Sequence, residues 1–305
     1  MTETGRFFFD HANNMALTLD AFRALGERGF TLADMMVEHP GRQECYFIHF
    51  SGRGRGQSDL LGRQYLEYVH VADKAATIQL AREECKDFDT QFPNGMSDDD
   101  FYTTGLSLSC SSRLADVFSE KKSLVEKAGL EFSHKNYDWK NDSESLLPGW
   151  NFVTFPDAST GGMVFWITEY EPNPSLDMAE TRKKREPWSL HPNGCEAVEG
   201  VIVALDEPAM ATIADFCDLP KEPDRAVWRL ADGGRIWSLS ALRGDLGLSP
   251  LFRKKRAVCA VVLVCRDLEH FRASANPDYE MILDGQPALG ISLGDFNYDI
   301  IVVQG

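Results

Sequence analysis

The apolar positions of the chain fall into one pattern that recurs four times with decreasing clarity: an apolar strand, at once a short amphipathic helix, then further strands. The first unit opens on Phe7-Phe8-Phe9-Asp10-His11-Ala12, whose aromatics mark a strand. Thr18 is predicted to cap a helix carrying Leu19, Phe22 and Leu25 at helical spacing, and Gly29 to end it. Strands are predicted over Phe30–Val37, Cys45–Phe50 and Tyr65–Val71, with the run Gly52-Arg53-Gly54-Arg55-Gly56 as a turn between the last two. The second unit opens at Thr104–Cys110. Ser111 or Ser112 is predicted to cap its helix, which carries Leu114, Val117, Phe118, Leu124 and Val125 and ends at Gly129. Strands are predicted near Glu131–Tyr137, Asn151–Phe155 and Met163–Tyr170.

The third unit opens at Ala197–Leu205. Asp206 is its predicted cap, Pro208 sits early in the helix where a missing N–H matters little, and Met210, Ile213 and Phe216 form the apolar face. Its strands, Ala226–Leu230 and Arg235–Leu239, are shorter. The fourth opens at Ala257–Cys265, with Asp267 capping a helix of Leu268 and Phe271 and strands near Tyr279–Leu283, Ala288–Leu293 and Tyr298–Val303. Outside the units lie a helix, Ala72–Cys85, and an acidic loop ending in Asp98-Asp99-Asp100. The polar stretch Glu171–Leu190, with Pro172, Pro174 and Pro187, reads as a linker. The expected division is a first module pair over residues 1–180 (modules about 6–71 and 104–170, helical insert 72–101) and a more divergent pair over 190–305.

Composition narrows the function. A formal charge of −16 argues against a general nucleic-acid or membrane surface, since phosphates and anionic lipids need excess Lys and Arg. The basic runs Arg182-Lys183-Lys184-Arg185 and Arg253-Lys254-Lys255-Arg256 are short and read as solvated loop faces. The N-terminus lacks the pattern of a secretory signal, and no stretch of ~18 apolar residues exists for a membrane span. The seven cysteines, Cys45, Cys85, Cys110, Cys195, Cys217, Cys259 and Cys265, are odd in number and without C-x-x-C spacing. That fits reduced thiols in a cytoplasmic protein.

Several short motifs stand in a telling order. Asp10-His11-Ala12-Asn13-Asn14, a helix and Gly29-Phe30-Thr31 come first; His39-Pro40-Gly41 precedes a strand; Tyr65-Leu66-Glu67-Tyr68 lies in the first unit's last strand; His191-Pro192-Asn193-Gly194 precedes the strand of the third. Together they resemble the glyoxalase-like domain proteins of the vicinal-oxygen-chelate (glyoxalase/bleomycin resistance/extradiol dioxygenase) superfamily, over residues 6 to 208. The resemblance implies an α+β fold: repeated βαβββ modules forming cupped mixed β-sheets, in two module pairs. It also implies a metal held by a His on a module's first strand and a Glu on its last. His11 and Glu67 match those places in module one, and Glu169 the last-strand place of module two. No His stands near Thr103–Leu106, so the resemblance leaves His191 as the candidate to fill the set. Imidazole and carboxylate suit Fe, Mn, Zn, Ni or Co, and vacant positions would let a substrate's paired oxygens chelate.

The resemblance further implies Glu67 and His39 as acid–base groups, and Tyr65 and Trp166 as substrate-binding walls. Each has a plainer alternative. His11 can be a strand histidine held by a backbone bond, Glu67 a solvent-facing carboxylate, His39 and His191 turn histidines that cap backbone groups, and Trp166 core. Three function classes follow. One is a metal-dependent isomerase, lyase or ring-cleaving dioxygenase acting on a small oxygen-rich or aromatic molecule; the second is a metal-free protein that binds or sequesters such a molecule; the third is a structural or interaction protein whose modules have diverged beyond catalysis. The expected partner is a small molecule, with no nucleic acid or membrane, on a monomer or homodimer. No G-x-x-x-x-G-K-[ST] loop, G-x-S-x-G elbow or H-E-x-x-H helix occurs.

Overall fold

The computed structural model describes residues 6–52, 64–84, 88–128, 133–137, 149–154, 164–171, 177–205, 207–242, 258–293 and 299–305. The first module runs β1 (Phe7–Ala16), α1 (Asp20–Glu27), β2 (Met36–His39), β3 (Gln43–Phe50) and β4 (Gln64–Val71). Helices α2 (Lys74–Glu84) and α3 (Phe88–Gln91) follow. The second module is β5 (Thr104–Cys110), α4 (Leu114–Glu120), α5 (Lys122–Ala128), β6 (Ser133–Tyr137), β7 (Gly149–Thr154) and β8 (Val164–Glu171). Helix α6 (Met178–Arg185) and a 3-10 turn (Glu186–Ser189) lead to the third: β9 (Cys195–Val203), α7 (Glu207–Cys217), β10 (Val227–Arg229) and β11 (Arg235–Ser238). The fourth is β12 (Val258–Cys265), α8 (Leu268–Ala275), β13 (Tyr279–Leu283), β14 (Gln286–Ser292) and β15 (Asp299–Gln304). The Gly129 helix end, the Asp206 cap and the second basic run lie outside the described residues.

Two mixed sheets result, in the orders β2-β3-β4-β1-β5-β8-β7-β6 and β10-β11-β9-β12-β15-β14-β13. Within each module the last strand lies parallel to the first, as β4 does to β1 and β15 to β12. Modules pair within the chain through antiparallel first strands, β1 with β5 and β9 with β12. The third module is abbreviated: a single bridge, Lys221 to Trp228, stands where its second strand would be.

Alternation sorts each strand into two faces. One face of both sheets, with α1, α4, α7 and α8, builds a shared core that includes Phe9, Leu66, Leu108, Phe165, Val201 and Val302. The opposite faces form two separate cups. Tyr65, Phe47, Cys45 and Tyr170 line the first, and Trp237, Val262, Leu283 and Val303 the second.

Local expectations fared unevenly. Asp267 caps α8 as expected, accepting from the backbone N–H groups of Glu269 and His270 at 2.9 and 3.1 Å. Gly29 closes α1 at φ +79°, with Phe30 N–H bonded to Leu25 O at 3.1 Å. Thr18, Ser111 and Ser112 are not the helix caps; α1 and α4 begin after Leu19 and Arg113 without a side-chain cap of their own. The described part of the segment read as a linker is helical over Met178–Arg185 and Glu186–Ser189. Arg182, Lys183 and Lys184 are solvated as expected, but Arg185 is 1 % exposed and faces Tyr65 and Tyr170. No helix among the described residues is long and apolar enough to cross a membrane.

Candidate metal and ligand site in the first cup

A bulge builds the site. Phe9 pairs with Leu108 and His11 with Ser107, so Asp10 is an extra residue in β1. Strict alternation would turn His11 to the core face with Phe9. The extra residue turns it to the cup beside Asp10. There His11 Nδ1 donates to Asp10 Oδ2 at 2.8 Å, and its Nε2 lies 3.6 Å from Glu67 Oε2. The ring stacks on Tyr65 at 4.6 Å between centroids and lies 6.0 Å from Trp166.

Asp10 is the hub of a buried network. Tyr170 donates its hydroxyl to Asp10 at 2.8–2.9 Å, Tyr65 in turn donates to Tyr170 at 3.2 Å, and Ser107 donates to Asp10 Oδ2 at 3.2 Å. Burial works against a charged His11, but the hydrogen bond to Asp10 and the charges of Asp10 and Glu67 outweigh it and raise its pKa. Burial pushes both tyrosines well up, and Asp10 adds to the effect. It also lowers the Arg185 guanidinium to about 10, with Tyr170 and Tyr65 opposing.

Glu67 joins this network to a second group. His39 on β2, Cys45 on β3 and Glu67 on β4 are brought together by adjacent pairing, and one donor atom from each lies within 4.8 Å of the others. Burial raises the Cys45 thiol well above its ordinary value, and the charge of Glu67 and a hydrogen bond to it add to this. Burial lowers His39, with Glu67 opposing and His11 adding. A cavity of about 290 Å³ lined by Glu38, His39, Pro40, Gly41, Ala76 and Leu80 opens beside His39. Imidazole, thiolate and carboxylate form a donor set that transition metals accept.

Of the residues singled out from sequence, His11, His39, Tyr65, Glu67 and Trp166 meet in this cup. Glu169 and His191 do not. Glu169 lies on the core face of β8, and its Oε2 accepts from Leu114 N–H at 3.1 Å at the start of α4, so it caps the helix that the serines were expected to cap. His191 has both ring nitrogens engaged with backbone: Nδ1 accepts from Thr31 N–H at 3.0 Å and Nε2 donates to His49 O at 2.9 Å. Burial lowers its pKa to about 4, the His49 carbonyl opposing. Its turn docks on the end of α1 through Asn193, which donates to Arg28 O at 3.1 Å. Cys45, Asp10, Tyr170 and Ser107 were missed. For Cys45 the available signal was alternation, which places it on the face of Phe47 and His49.

No protein-family profile matches the chain, and no curated protein matches it. Solved structures do. A hypothetical protein from Staphylococcus aureus is similar over 98 % of this chain and 99 % of its own, with a TM-score of 0.54 at 14 % identity, a likeness of fold. A mutant 4-hydroxymandelate synthase from Streptomyces coelicolor matches over 98 % and 93 %, with a TM-score of 0.49 at 10 % identity. A mutant methylmalonyl-CoA epimerase from the same organism, in complex with 2-nitronate-propionyl-CoA, matches over 56 % and 100 %, with a TM-score of 0.32 at 12 % identity. The two mixed sheets, each joining two modules through their first strands, bear out the expected α+β fold of repeated βαβββ units in two module pairs.

Proposed function

We propose that the first cup belongs to a divalent-metal-dependent isomerase or lyase that acts on a small, oxygen-rich or aromatic carbonyl compound. The observation that carries this reading is the convergence of His39, Cys45 and Glu67 within 4.8 Å, next to the Asp10–His11 pair. His39, Cys45 and Glu67 would hold the metal, which would displace the thiol proton of Cys45. A thiolate in the set favours Zn, Fe or Co over Mn. When bound, the metal supplies Lewis-acid polarisation of a carbonyl.

The remaining work falls to the chain. Asp10 accepts from His11 Nδ1–H, which fixes the tautomer with Nε2 as the proton acceptor and stabilises the imidazolium that results. Tyr170 and Ser107 hold the Asp10 carboxyl in place. Tyr65 and Trp166 keep the imidazole oriented and offer flat walls to a planar ligand.

The test is the metal content of the purified protein by mass spectrometry, unmodified and as His11→Ala, Cys45→Ser and Glu67→Ala, with circular dichroism to confirm folding. Near-stoichiometric transition metal is expected in the unmodified chain and in His11→Ala, and its loss in Cys45→Ser and Glu67→Ala. Loss in His11→Ala as well would make His11 a ligand rather than the proton carrier. An unmodified chain that takes up none of Fe, Mn, Zn, Ni or Co would sink the reading. One feature favours a metal-free binding protein instead: across the β1–β5 pair the partner of His11 is Ser107, so the second module brings no imidazole to this point.

A further inference from the structure

The second sheet repeats the construction of the first with different residues at each place. Val198 pairs with Leu263 and Gly200 with Val262, so Glu199 is an extra residue in β9, as Asp10 is in β1. In the first sheet His11 is level with Tyr65 and Asn13 with Glu67. In the second, Gly200 is level with Arg235 and Ile202 with Trp237. The bulged acid is therefore kept, the histidine is replaced by glycine, and Arg235 and Trp237 stand in the places of Tyr65 and Glu67. There is no room for the histidine, because a Cβ on Gly200 would lie 1.8 Å from the Arg235 carbonyl oxygen.

These replacements surround a cavity of about 320 Å³, within the range of small-molecule sites. Its polar end holds Glu199, which is 9 % exposed, together with Arg235 and Asp284. Asp284 is well supplied with donors: Arg235 Nη1 and Trp237 Nε1 each donate to it at 3.0 Å, and Arg225 pairs with its other oxygen. Arg235 Nε is buried and has no hydrogen-bond acceptor among the described residues; it lies 3.8 Å from Glu199 Oε1. Val262, Val264, Leu283 and Val303 form an apolar wall. Arg235 lines the cavity between Glu199 and Asp284, and Arg225 pairs with Asp284 from outside the lining, so each carboxylate of this end faces a guanidinium. A ligand of net charge would enter against a desolvation penalty without compensation, whereas a ligand carrying both charges meets one partner for each.

We infer that the second cup is a separate, metal-independent binding site for a small zwitterion with an apolar side group, of the free α-amino-acid class. The ammonium sits on Glu199, the carboxylate on Arg235, and the side group against the valine wall. The test is calorimetric titration of the full chain, dialysed against EDTA, with leucine and with its one-headed relatives 3-methylbutylamine and 4-methylpentanoate. Saturable leucine binding is expected, weaker by about tenfold or more for each relative and in Glu199→Gln, which corresponds to about 1.4 kcal/mol or more. The indole N–H resonance of Trp237 should shift on leucine addition in the unmodified protein, which locates the site without any substitution. Failure of leucine and phenylalanine to bind at millimolar concentration overturns the inference. So does binding of a one-headed relative as tight as leucine's, or leucine binding that leaves the Trp237 resonance unmoved.

Discussion

His191 should make the protein acid-sensitive in a defined window. Its ring packs against Phe50 and Phe30, with centroids at 4.8 and 5.6 Å, and bonds to backbone of β3 and of the segment after α1. A proton added at Nδ1 would remove the acceptor for Thr31 N–H and place a charge in a site where burial and the His49 carbonyl set the balance. The folded pKa is about 4 against an ordinary 6.5. The folded value is the depressed one, so the stabilisation is fully present above 6.5 and is lost as pH falls from there toward 4. At ~1.36 kcal/mol per pH unit the full window is worth about 3 kcal/mol, of which roughly 2 is gone by pH 5. Urea denaturation of the unmodified chain and of His191→Gln at pH 7.5 and pH 5 measures this, because other titrating groups cancel in the difference. Glutamine can both accept from Thr31 and donate to His49 but does not titrate. The stability gap between the two proteins should move by about 2 kcal/mol in favour of the variant on acidification. Parallel losses in the two proteins would refute the argument.

Three further outcomes are expected. Glu169→Ala removes the acceptor at the start of α4 and should cost about 1 kcal/mol in urea denaturation, while leaving the metal content unchanged. Tyr170→Phe removes a donor to Asp10 in a buried network and should cost about 1.5–3 kcal/mol, read from the same denaturation curves. Gly200→Ala cannot fit beside the Arg235 carbonyl and should cost more than about 3 kcal/mol or prevent folding, seen as a lowered thermal midpoint.

The first cup was legible where strand pattern and motif agree. The alternation in Tyr65-Leu66-Glu67 puts Tyr65 and Glu67 on one face, and the Asp10-His11 step supplies the imidazole. The bulge that turns His11 to that face was not legible, because an extra residue shows only when the partner strand is known. Glu169 misled for a related reason. It sits one step out of phase with Trp166, Thr168 and Tyr170, and the phase of β8 is set by pairing with β5 rather than by its own residues. His191-Pro192-Asn193-Gly194 is a specific turn, as its residues implied, but its specificity serves the docking of α1 and β3. Alternation gave the face of Cys45 but not its neighbours on β2 and β4, and Tyr170 reaches the site only through register, which no local pattern encodes.

Both cups use the same backbone device, a bulged acid on a module's first strand, but among the described residues only the first adds a group of metal-type donors to it. The first cup has imidazole, thiol and carboxylate on three neighbouring strands. The second has Trp237 level with the place of Glu67 and Gly200 in the place of His11, and its acids are engaged with guanidinium groups. Trp237→Glu should therefore fail to create a second centre, since no imidazole can follow at Gly200 without meeting the Arg235 carbonyl. The expected stoichiometry is one metal per chain in both the unmodified protein and Trp237→Glu. Two metals per chain in either would show that the cups are chemically equivalent and would overturn the division of roles drawn from their register.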